Sequence, residues 1–579
     1  MPPGLNQNRV LAGMFSRMAD ILEFRGENAF KVNAYRKAAR TLEDLAESVA
    51  VARREDRLRD IPGIGDALAS KISEFLDTGR IAKYDEVSSS VPDGLMDLLR
   101  IPGLGPKTLA LLHKSLSVEN LADLKAALQD GSLARLPGLG EKKADNIRRG
   151  IELIERHSGR IPLGEALPVA ESVMEALLSV ARNHPGLRIR RERMSYAGSL
   201  RRMCETIGDI DILVESDNGG GVVGAFAGLP VVSRVLAQGD TKASVVAEGG
   251  LQIDLRVVPE GSFGAALQYF TGSKAHNVAL REIGRKLGFK INEYGIFRKG
   301  KRIGGRTEEE LYRAVGMPWI PPELREDRGE IEAAASGALP RLVEARHIKG
   351  DLHVHTEWSD GTADILTMAK KAESLGYEYV AVCDHSASVT YAGGLSPARL
   401  AEQVREIRRI NRKMNSCRIL AGTEVDVRAD GSLDYPDDLL RTLDFAVASV
   451  HSGFKNRVTE RLIAAAKNPL VTVLGHPTGR LIGEREGYEV ETDAVMKACA
   501  ESGTAMEINA HYLRLDLNDV LARRAREMGV RLSLGTDAHH PDQMDMMRYG
   551  LAVARRAWLG KRDVLNSKDV KGLRQTHQT

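Results

Sequence analysis

The stretch 197-AGSLRRMCETIGDIDILV-214 carries the pattern on which the reading turns. Its end, 209-DIDILV-214, reads as an apolar strand pattern, and Asp209 and Asp211 stand two residues apart in it. A strand's period of two puts both carboxylates on one face. Holding like charges together is costly unless a cation sits beside them. A second strand pattern, 252-QIDLRVV-258, supplies a third carboxylate, Asp254. Three carboxylates from neighbouring strands can hold two Mg²⁺ or Mn²⁺ ions. Such a pair activates a hydroxyl nucleophile and neutralises charge on a transferring phosphoryl group. Upstream, Gly198, Ser199 and Arg202 are placed to cradle a triphosphate.

On the N-terminal side, residues 9–160 read as helices separated by Gly-rich turns. Three loops repeat one design: 61-IPGIGDALASKI-72, 101-IPGLGPKTLALL-112 and 136-LPGLGEKKADNI-147. The glycine pairs Gly63 and Gly65, Gly103 and Gly105, and Gly138 and Gly140 let the backbone turn tightly. The N–H groups at each following helix start can then face a phosphate. One such loop is equally a plain helix corner. Three in a row fit helix-hairpin-helix elements that hold DNA phosphates without reading sequence.

On the C-terminal side, a segment rich in Pro and charge, 317-MPWIPPELREDRGE-330, reads as linker. Beyond about residue 340, apolar strands alternate with amphipathic helices, which predicts a parallel α/β sheet or barrel. Seven strand patterns occur, and six end in metal-type ligands: 350-GDLHVH-355, 379-YVAVCDH-385, 419-ILAGTEV-425, 444-DFAVASVH-451, 471-VTVLGH-476 and 531-RLSLGTDAH-539. The seventh, 505-AMEIN-509, ends in Glu507 and Asn509. Ligands at the C-terminal ends of parallel strands converge on one mouth. The candidates are His353, His355, Asp360, His385, Glu424, His451, His476, Asp537 and His539. Nine donors exceed the needs of one ion, so two or three are expected. Mixed imidazole and carboxylate ligation suits Mn²⁺, Zn²⁺ or Fe. His347, His511 and His540 read as surface residues or substrate contacts, and Arg480 as a phosphate contact or a solvated loop charge.

Length and composition bound these readings. The 579 residues predict three or four domains. Apolar residues at 43% and charged residues at 28% are an ordinary globular mixture. The formal charge of +3 is too small to announce a nucleic-acid binder, so DNA affinity must come from local sites. Cys204, Cys383, Cys417 and Cys499 are scattered and form neither a CxxC pair nor a disulfide framework. The start, MPPGLNQNRV, lacks an apolar signal core, and no apolar run approaches the ~18 residues of a membrane span. A soluble cytoplasmic protein without membrane contact is expected.

The motif GSLRRM…GDIDILV resembles the nucleotidyltransferase signature of family X DNA polymerases. So do 269-YFTGSKAHN-277, 291-INEYGI-296, 24-FRGENAFKVNAYRKAARTL-42 and the later IPPELREDRGE. The resemblance implies that Asp209, Asp211 and Asp254 carry the catalytic metals. It implies that Ser199, Arg202 and Gly208 contact the incoming triphosphate. Tyr269, Phe270 and Gly272 would pack on its sugar and base, Asn277 would meet the base edge, and Arg281 the template. Lys274 stands where relatives can carry an acidic residue. Lys71 matches the Schiff-base lysine with which animal relatives excise a 5′-deoxyribose phosphate. An exposed helix lysine is the alternative, because Ala67 replaces a basic residue one turn earlier. Lys31 and Tyr35 match other positions of that lyase domain.

The pattern DLHVHTEWSDG…CDH…GTEV…SVHSG…GHP…GTDAH resembles the PHP (polymerase and histidinol phosphatase) family. That resemblance implies a distorted seven-stranded α/β barrel with a trinuclear centre. His353, His355, Glu424 and Asp537 would hold one ion, Glu424, His451 and His476 a second, and Asp360, His385 and His539 a third. The expected fold is therefore multidomain α/β. It has a helical DNA-binding, lyase-like domain (1–90), helix-hairpin-helix fingers (91–160), a palm (161–260), a thumb (261–318), a linker (319–340) and the PHP domain (341–579). The expected substrates are gapped or primed DNA and dNTPs, and the expected state is a monomer. Gap filling would be joined by a 3′–5′ exonuclease, with abasic-site incision and 3′-phosphate removal as companions. The alternative is a PHP domain acting mainly as a phosphatase or structural module.

Overall fold

The computed structural model describes residues 3–575, apart from 45–48, 62, 93, 102–103, 158–159, 249 and 415. Chain contacts divide it into two compact units, residues 1–158 with 483–485, and 159–482 with 486–579. The first is helical. Its hairpin glycines take the turns anticipated for them: Gly63, Gly138 and Gly140 have φ of +86°, +80° and +62°. Gly65 and Gly105 precede the helices Asp66–Thr78 and Pro106–Leu116 in extended backbone, while Gly103 lies outside the described residues. Leu68, Ala69 and Ile72 share one helix face and are buried. Full burial of one such aliphatic side chain contributes about 1.5–3 kcal/mol.

The second unit begins with a mixed five-stranded sheet. Its strands are β1 (Met194–Tyr196), β2 (Asp209–Glu215), β3 (Val232–Gln238), β4 (Lys242–Ala247) and β5 (Gln252–Val258), in the order β1-β2-β5-β4-β3. Only β2 and β5 pair in parallel, and their register sets Asp211 opposite Asp254. Ile210, Ile212, Ile253 and Leu255 alternate with the carboxylates along the strands and fill the core on the opposite face. Next come the helices Phe263–Thr271 and Lys274–Lys286, the latter capped by Ser273, whose Oγ accepts from His276 N. A three-stranded antiparallel sheet follows: β6 (Phe289–Asn292), β7 (Gly295–Arg298) and β8 (Lys301–Gly304).

The segment expected as a linker is instead packed. Ile320, Leu324, Ile331 and Ala334 join the core that holds Leu280, Leu311 and Tyr312. Arg325 and Glu330 are fully buried. Pro and charge signalled a loop in the sequence, but each buried charge has a partner. Arg325 meets Glu308, and Glu330 meets His276.

Apart from the short antiparallel pair Ile161–Pro162 and Thr206–Ile207, the remaining strands are β9 (Gly350–Val354), β10 (Tyr379–Val382), β11 (Arg418–Asp426), β12 (Phe445–Ser449), β13 (Val473–Leu474), β14 (Ala505–Asn509) and β15 (Leu532–Gly535). They pair in parallel in chain order. A parallel bridge between Val354 and Ala538 brings the first and last strands together, so the sheet nearly closes. Apart from Arg418, every residue of these strands is buried, which explains why they read as continuous apolar runs. Side-chain caps from Asp364, Ser396 and Asn518 start three of the flanking helices. Among the described residues, no helix is long and apolar enough to cross a membrane.

Candidate functional site

The palm site follows from its strand register. Asp209 is exposed, while Asp211 and Asp254 are half-buried on adjacent strands. Gln252 Nε2 donates to Asp254 Oδ2 at 3.0 Å, orienting that carboxylate. Burial, then Asp209 and Asp254, push the Asp211 carboxyl up to about 7. Burial and two neighbouring carboxylates both disfavour the charged form, and a cation among the three would favour it. Asp211, Lys242, Asp254, Arg256 and Phe270 line one cleft. Gly198 has φ +61°, and a Cβ there would lie 2.5 Å from Asp211 Oδ2, so only glycine lets this loop approach the carboxylates.

The other predicted polymerase residues divide in their surroundings. Ser199, in the short helix Gly198–Arg201, and Gly208, in the bend before β2, are half-buried. Tyr269 and Phe270 meet edge to face at 5.1 Å, and Arg256 lies 4.5 Å over the Phe270 ring. Gly272 has φ +71°, and Arg281 is exposed. Asn277 is buried with both ends of its amide engaged. Gln268 Nε2 donates to its Oδ1 at 2.7 Å, and its Nδ2 donates to Tyr269 O at 2.6 Å. Arg202 donates from Nε to Glu326 Oε1 at 3.0 Å and from Nη1 to Thr271 O. Arg201, to which the sequence reading gave no role, grips Glu308 with two 2.8 Å bonds. In the helical unit, Lys71 Nζ donates to Ala67 O at 3.0 Å, and burial with nearby Lys83 and Lys31 lowers its amine pKa.

The barrel site gathers all nine predicted donors at the C-terminal strand ends. Three sets bring their donor atoms within ion-binding reach: His355, Asp360, His385 and His539; His353, His355 and Asp537; and His385, Glu424 and His451. His476 joins through Nε2, 2.9 Å from Glu424 Oε1. The sets overlap more than the three expected groups, with His355 and His385 each serving twice.

The donor chemistry fits bound cations. His385 Nδ1 and Glu424 Oε2 lie 2.9 Å apart yet lack hydrogen-bond geometry. The Nδ1 atoms of His355, His451 and His476 are likewise buried without a hydrogen-bond partner. Orphaned buried donors and acceptors of this kind are costly unless something binds them. Burial, His539 and His385 push His355 down to about 3. Burial alone would raise Glu424, but His451, His385 and His353 hold its carboxyl well below the usual range. Backbone strain concentrates here too: His476 and Asp537 have φ of +25° and +54°. Cys383 is buried and directed at Leu352 O, so no thiolate enters the set.

A second layer orients these ligands. Glu507 Oε1 lies 2.7 Å from His353 Nδ1, and its Oε2 accepts from His476 N at 2.7 Å. Asp384 accepts from Thr356 N and Oγ1 at 2.8 and 2.6 Å and from Ser359 Oγ at 2.6 Å. It thereby fixes the loop leading to Asp360. Asp426 accepts from His451 N at 3.0 Å, and Asn509 Nδ2 donates to Asp537 Oδ2 at 3.1 Å. Such partners set imidazole tautomers and ligand basicity. Sequence reasoning noticed Glu507 and Asn509 without assigning them a role and passed over Asp384 and Asp426. Their signal was adjacency: Asp384 precedes His385, and Asp426 lies two residues after Glu424. Arg514 Nε lies 3.4 Å from Asp537 Oδ2, and His511 is half-buried nearby in sequence. His347 and His540 accept from local backbone N–H groups, of Glu344 and Asp542. Arg480 is committed to Glu205 Oε2 at 2.8 Å and to the carbonyls of Arg514 and Leu515.

Known proteins share these parts. Residues 6–81 match the family model for a helix-hairpin-helix domain, 95–152 a SAM-like helix-hairpin-helix tandem, 266–326 the DNA polymerase beta thumb and 351–511 the PHP domain. The chain is 38% identical over 565 residues to a protein of Bacillus subtilis (strain 168) named DNA polymerase/3′-5′ exonuclease PolX, covering 96% of this chain and 97% of that one. It is 27% identical over 299 residues to DNA polymerase lambda of Rattus norvegicus, covering 46% and 48%. It is 28% identical over 237 residues to a probable phosphatase of Thermoanaerobacter sp. (strain X514), covering 38% of this chain and 89% of that protein.

Proposed function

Because this chain belongs to the bacterial family X DNA polymerases that carry a C-terminal PHP domain, we propose that it fills short gaps in DNA during repair and trims 3′ ends in its barrel. The observation that carries this reading is the presence of two donor sets on one chain, the register-matched palm aspartates and the nine-donor barrel mouth. Divalent ions bound at the two sites supply nucleophile activation and neutralise charge on the phosphoryl group.

In the palm, Asp209, Asp211 and Asp254 hold two Mg²⁺ or Mn²⁺ ions, with Asp254 beside the primer terminus. Ser199, Arg202 and Gly208 orient the triphosphate of a dNTP. Tyr269, Phe270 and Gly272 pack against its sugar and base. Asn277 reaches the base edge through the amide hydrogen that Tyr269 leaves free, and Arg281 contacts the template. The glycines of the hairpin loops hold DNA phosphates, and Lys71, with its depressed amine pKa, serves as a lyase nucleophile.

In the barrel, two or three Mn²⁺, Zn²⁺ or Fe ions are held by His353, His355, Asp360, His385, Glu424, His451, His476, Asp537 and His539. Asp384 and Glu507 keep those side chains aimed at the mouth, and Arg514 faces substrate phosphate. Abasic-site incision and 3′-phosphate removal share this site. The protein works as a cytoplasmic monomer.

The test uses a labelled primer at a one-nucleotide gap, ending in a 3′-hydroxyl or a 3′-phosphate. The hydroxyl primer is expected to gain one nucleotide with dNTPs and to shorten without them. The phosphate primer is expected to extend only after losing its phosphate. The similarity to a probable phosphatase supports a second reading of the barrel. Hydrolysis of small phosphomonoesters with no action on either primer would favour that reading and overturn the exonuclease.

A further inference from the structure

The loop that bears Arg202 is joined to the barrel through a carboxylate. Glu326 Oε1 accepts from Arg202 Nε at 3.0 Å and from Arg556 Nη1 at 2.9 Å. Arg556 comes from the barrel helix Met547–Arg556, and its Nη1 also donates to the Arg202 carbonyl at 2.7 Å. On its other side, Arg556 meets Asp519 Oδ2 through Nε at 3.1 Å and Nη2 at 2.9 Å. Arg328 Nη1 reaches the same Asp519 oxygen at 2.9 Å. Arg556 is 8% exposed, Arg202 14%, Asp519 15% and Glu326 16%. Solvent therefore screens most of this chain of charges weakly.

The charges in this chain do not cancel. Arg202, Arg556 and Arg328 face Glu326 and Asp519, which leaves one net positive charge. Arg202 has further N–H donors beyond the three used by Glu326, Thr271 O and Cys204 Sγ, and its fork is held in one orientation. Without Arg556, Glu326 would face Arg202 alone among these guanidiniums, and the network would be neutral. A phosphate approaching Arg202 would then meet a cancelled ion pair.

We infer that Arg556, a residue of the PHP barrel, is a positioning residue for polymerisation: by neutralising Glu326 it keeps the charge of Arg202 available to the triphosphate of the incoming nucleotide. This rests on the reading of Arg202 as a triphosphate contact. It makes the barrel part of the nucleotide site while Arg556 itself touches no substrate.

The full-length chain tests this on one-nucleotide-gapped DNA. The readouts are KM and kcat for dNTP, and dNTP binding to the complex with a dideoxy-terminated primer. Arg556→Met is expected to raise KM and weaken nucleotide binding together, about fivefold to tenfold, with kcat nearly unchanged. Adding Glu326→Gln to Arg556→Met restores the net positive charge and should bring KM back toward wild type. A merely structural role predicts the reverse, because the double variant removes two contacts between the same elements. Arg556→Lys keeps the charge with fewer bonds and should leave KM near wild type. Unfolding temperature and primer shortening without dNTPs check the fold of each variant. An unchanged KM in Arg556→Met, a double variant worse than the single one, or equal defects in Arg556→Lys and Arg556→Met would overturn the inference. Arg202→Ala separates the two layers. If it leaves KM unchanged, the triphosphate role of Arg202 falls and the inference falls with it. If it raises KM while Arg556→Met does not, the inference alone falls.

Discussion

The palm and the barrel answer the same problem, a cluster of like charges, in opposite ways. The palm sets three carboxylates on two adjacent strands and leaves Asp209 open to solvent, with Asp211 pushed up to about 7. The barrel interleaves imidazoles with carboxylates and buries most of them, so that Glu424 is held ionised by His451, His385 and His353. One compact unit therefore holds two donor sets of different kinds, one of carboxylates partly open to solvent and one of mixed imidazoles and carboxylates that is largely buried.

The sharpest break of this comparison is at Glu424, whose oxygens lie 2.9 Å from His476 Nε2 and from His385 Nδ1. Glu424→Gln should cut primer shortening by ~10²–10³-fold, the range for losing one preorganised electrostatic contact. It should also lower the metal retained after dialysis, and primer extension should remain. Equal loss of both activities would mean that the sites are not separate.

Next in size is a change of stability on the polymerase side. Glu308 is buried between Arg201 and Arg325 and accepts from Trp319 Nε1 at 2.9 Å. Burial alone would raise its pKa, but Arg325 and Arg201 outweigh that and hold its carboxyl well below the ordinary value of 4.5. Glu308→Gln leaves two guanidiniums without their anion and should cost ~3–5 kcal/mol. A carboxylate with a depressed folded-state pKa stabilises fully above its unfolded value, and that stability is lost as pH falls toward the folded one. The gap between wild type and Glu308→Gln in urea unfolding should therefore be full at neutral pH and narrow below about pH 4.5. A gap that is constant with pH would contradict the assignment.

The smallest effect tests the second layer. Asp384→Asn keeps the size of the side chain but removes the charge that orders Thr356 and Ser359. Shortening should fall about 10- to 100-fold, with partial recovery at high metal concentration. Full activity at limiting metal would show that the loop to Asp360 holds itself.

How much of this was legible depended on distance along the chain. The seven barrel strands and the donors that cluster at their mouth were readable because chemistry-bearing residues sit at the ends of apolar runs, and a strand's period fixes where they point. The palm aspartates were readable for the same reason. Glu507 bonding His353, or Arg325 bonding Glu308, pairs residues from distant elements, and no local pattern announces such pairs. The segment around IPPELREDRGE read as linker because Pro and charge usually mark loops. Its buried Arg325 and Glu330 take their partners from the thumb helices. Arg480 was left open between a phosphate contact and a solvated charge, and neither reading could foresee Glu205 from the palm.

The most direct test of two separate sites crosses two variants with two activities. Wild type, Asp254→Ala and His353→Ala are run on one labelled, one-nucleotide-gapped DNA, with and without dNTPs. The account predicts that Asp254→Ala loses extension and keeps shortening, while His353→Ala keeps extension and loses shortening. If His353→Ala shortens the primer as fast as wild type, the barrel is not the nuclease and the central claim is wrong.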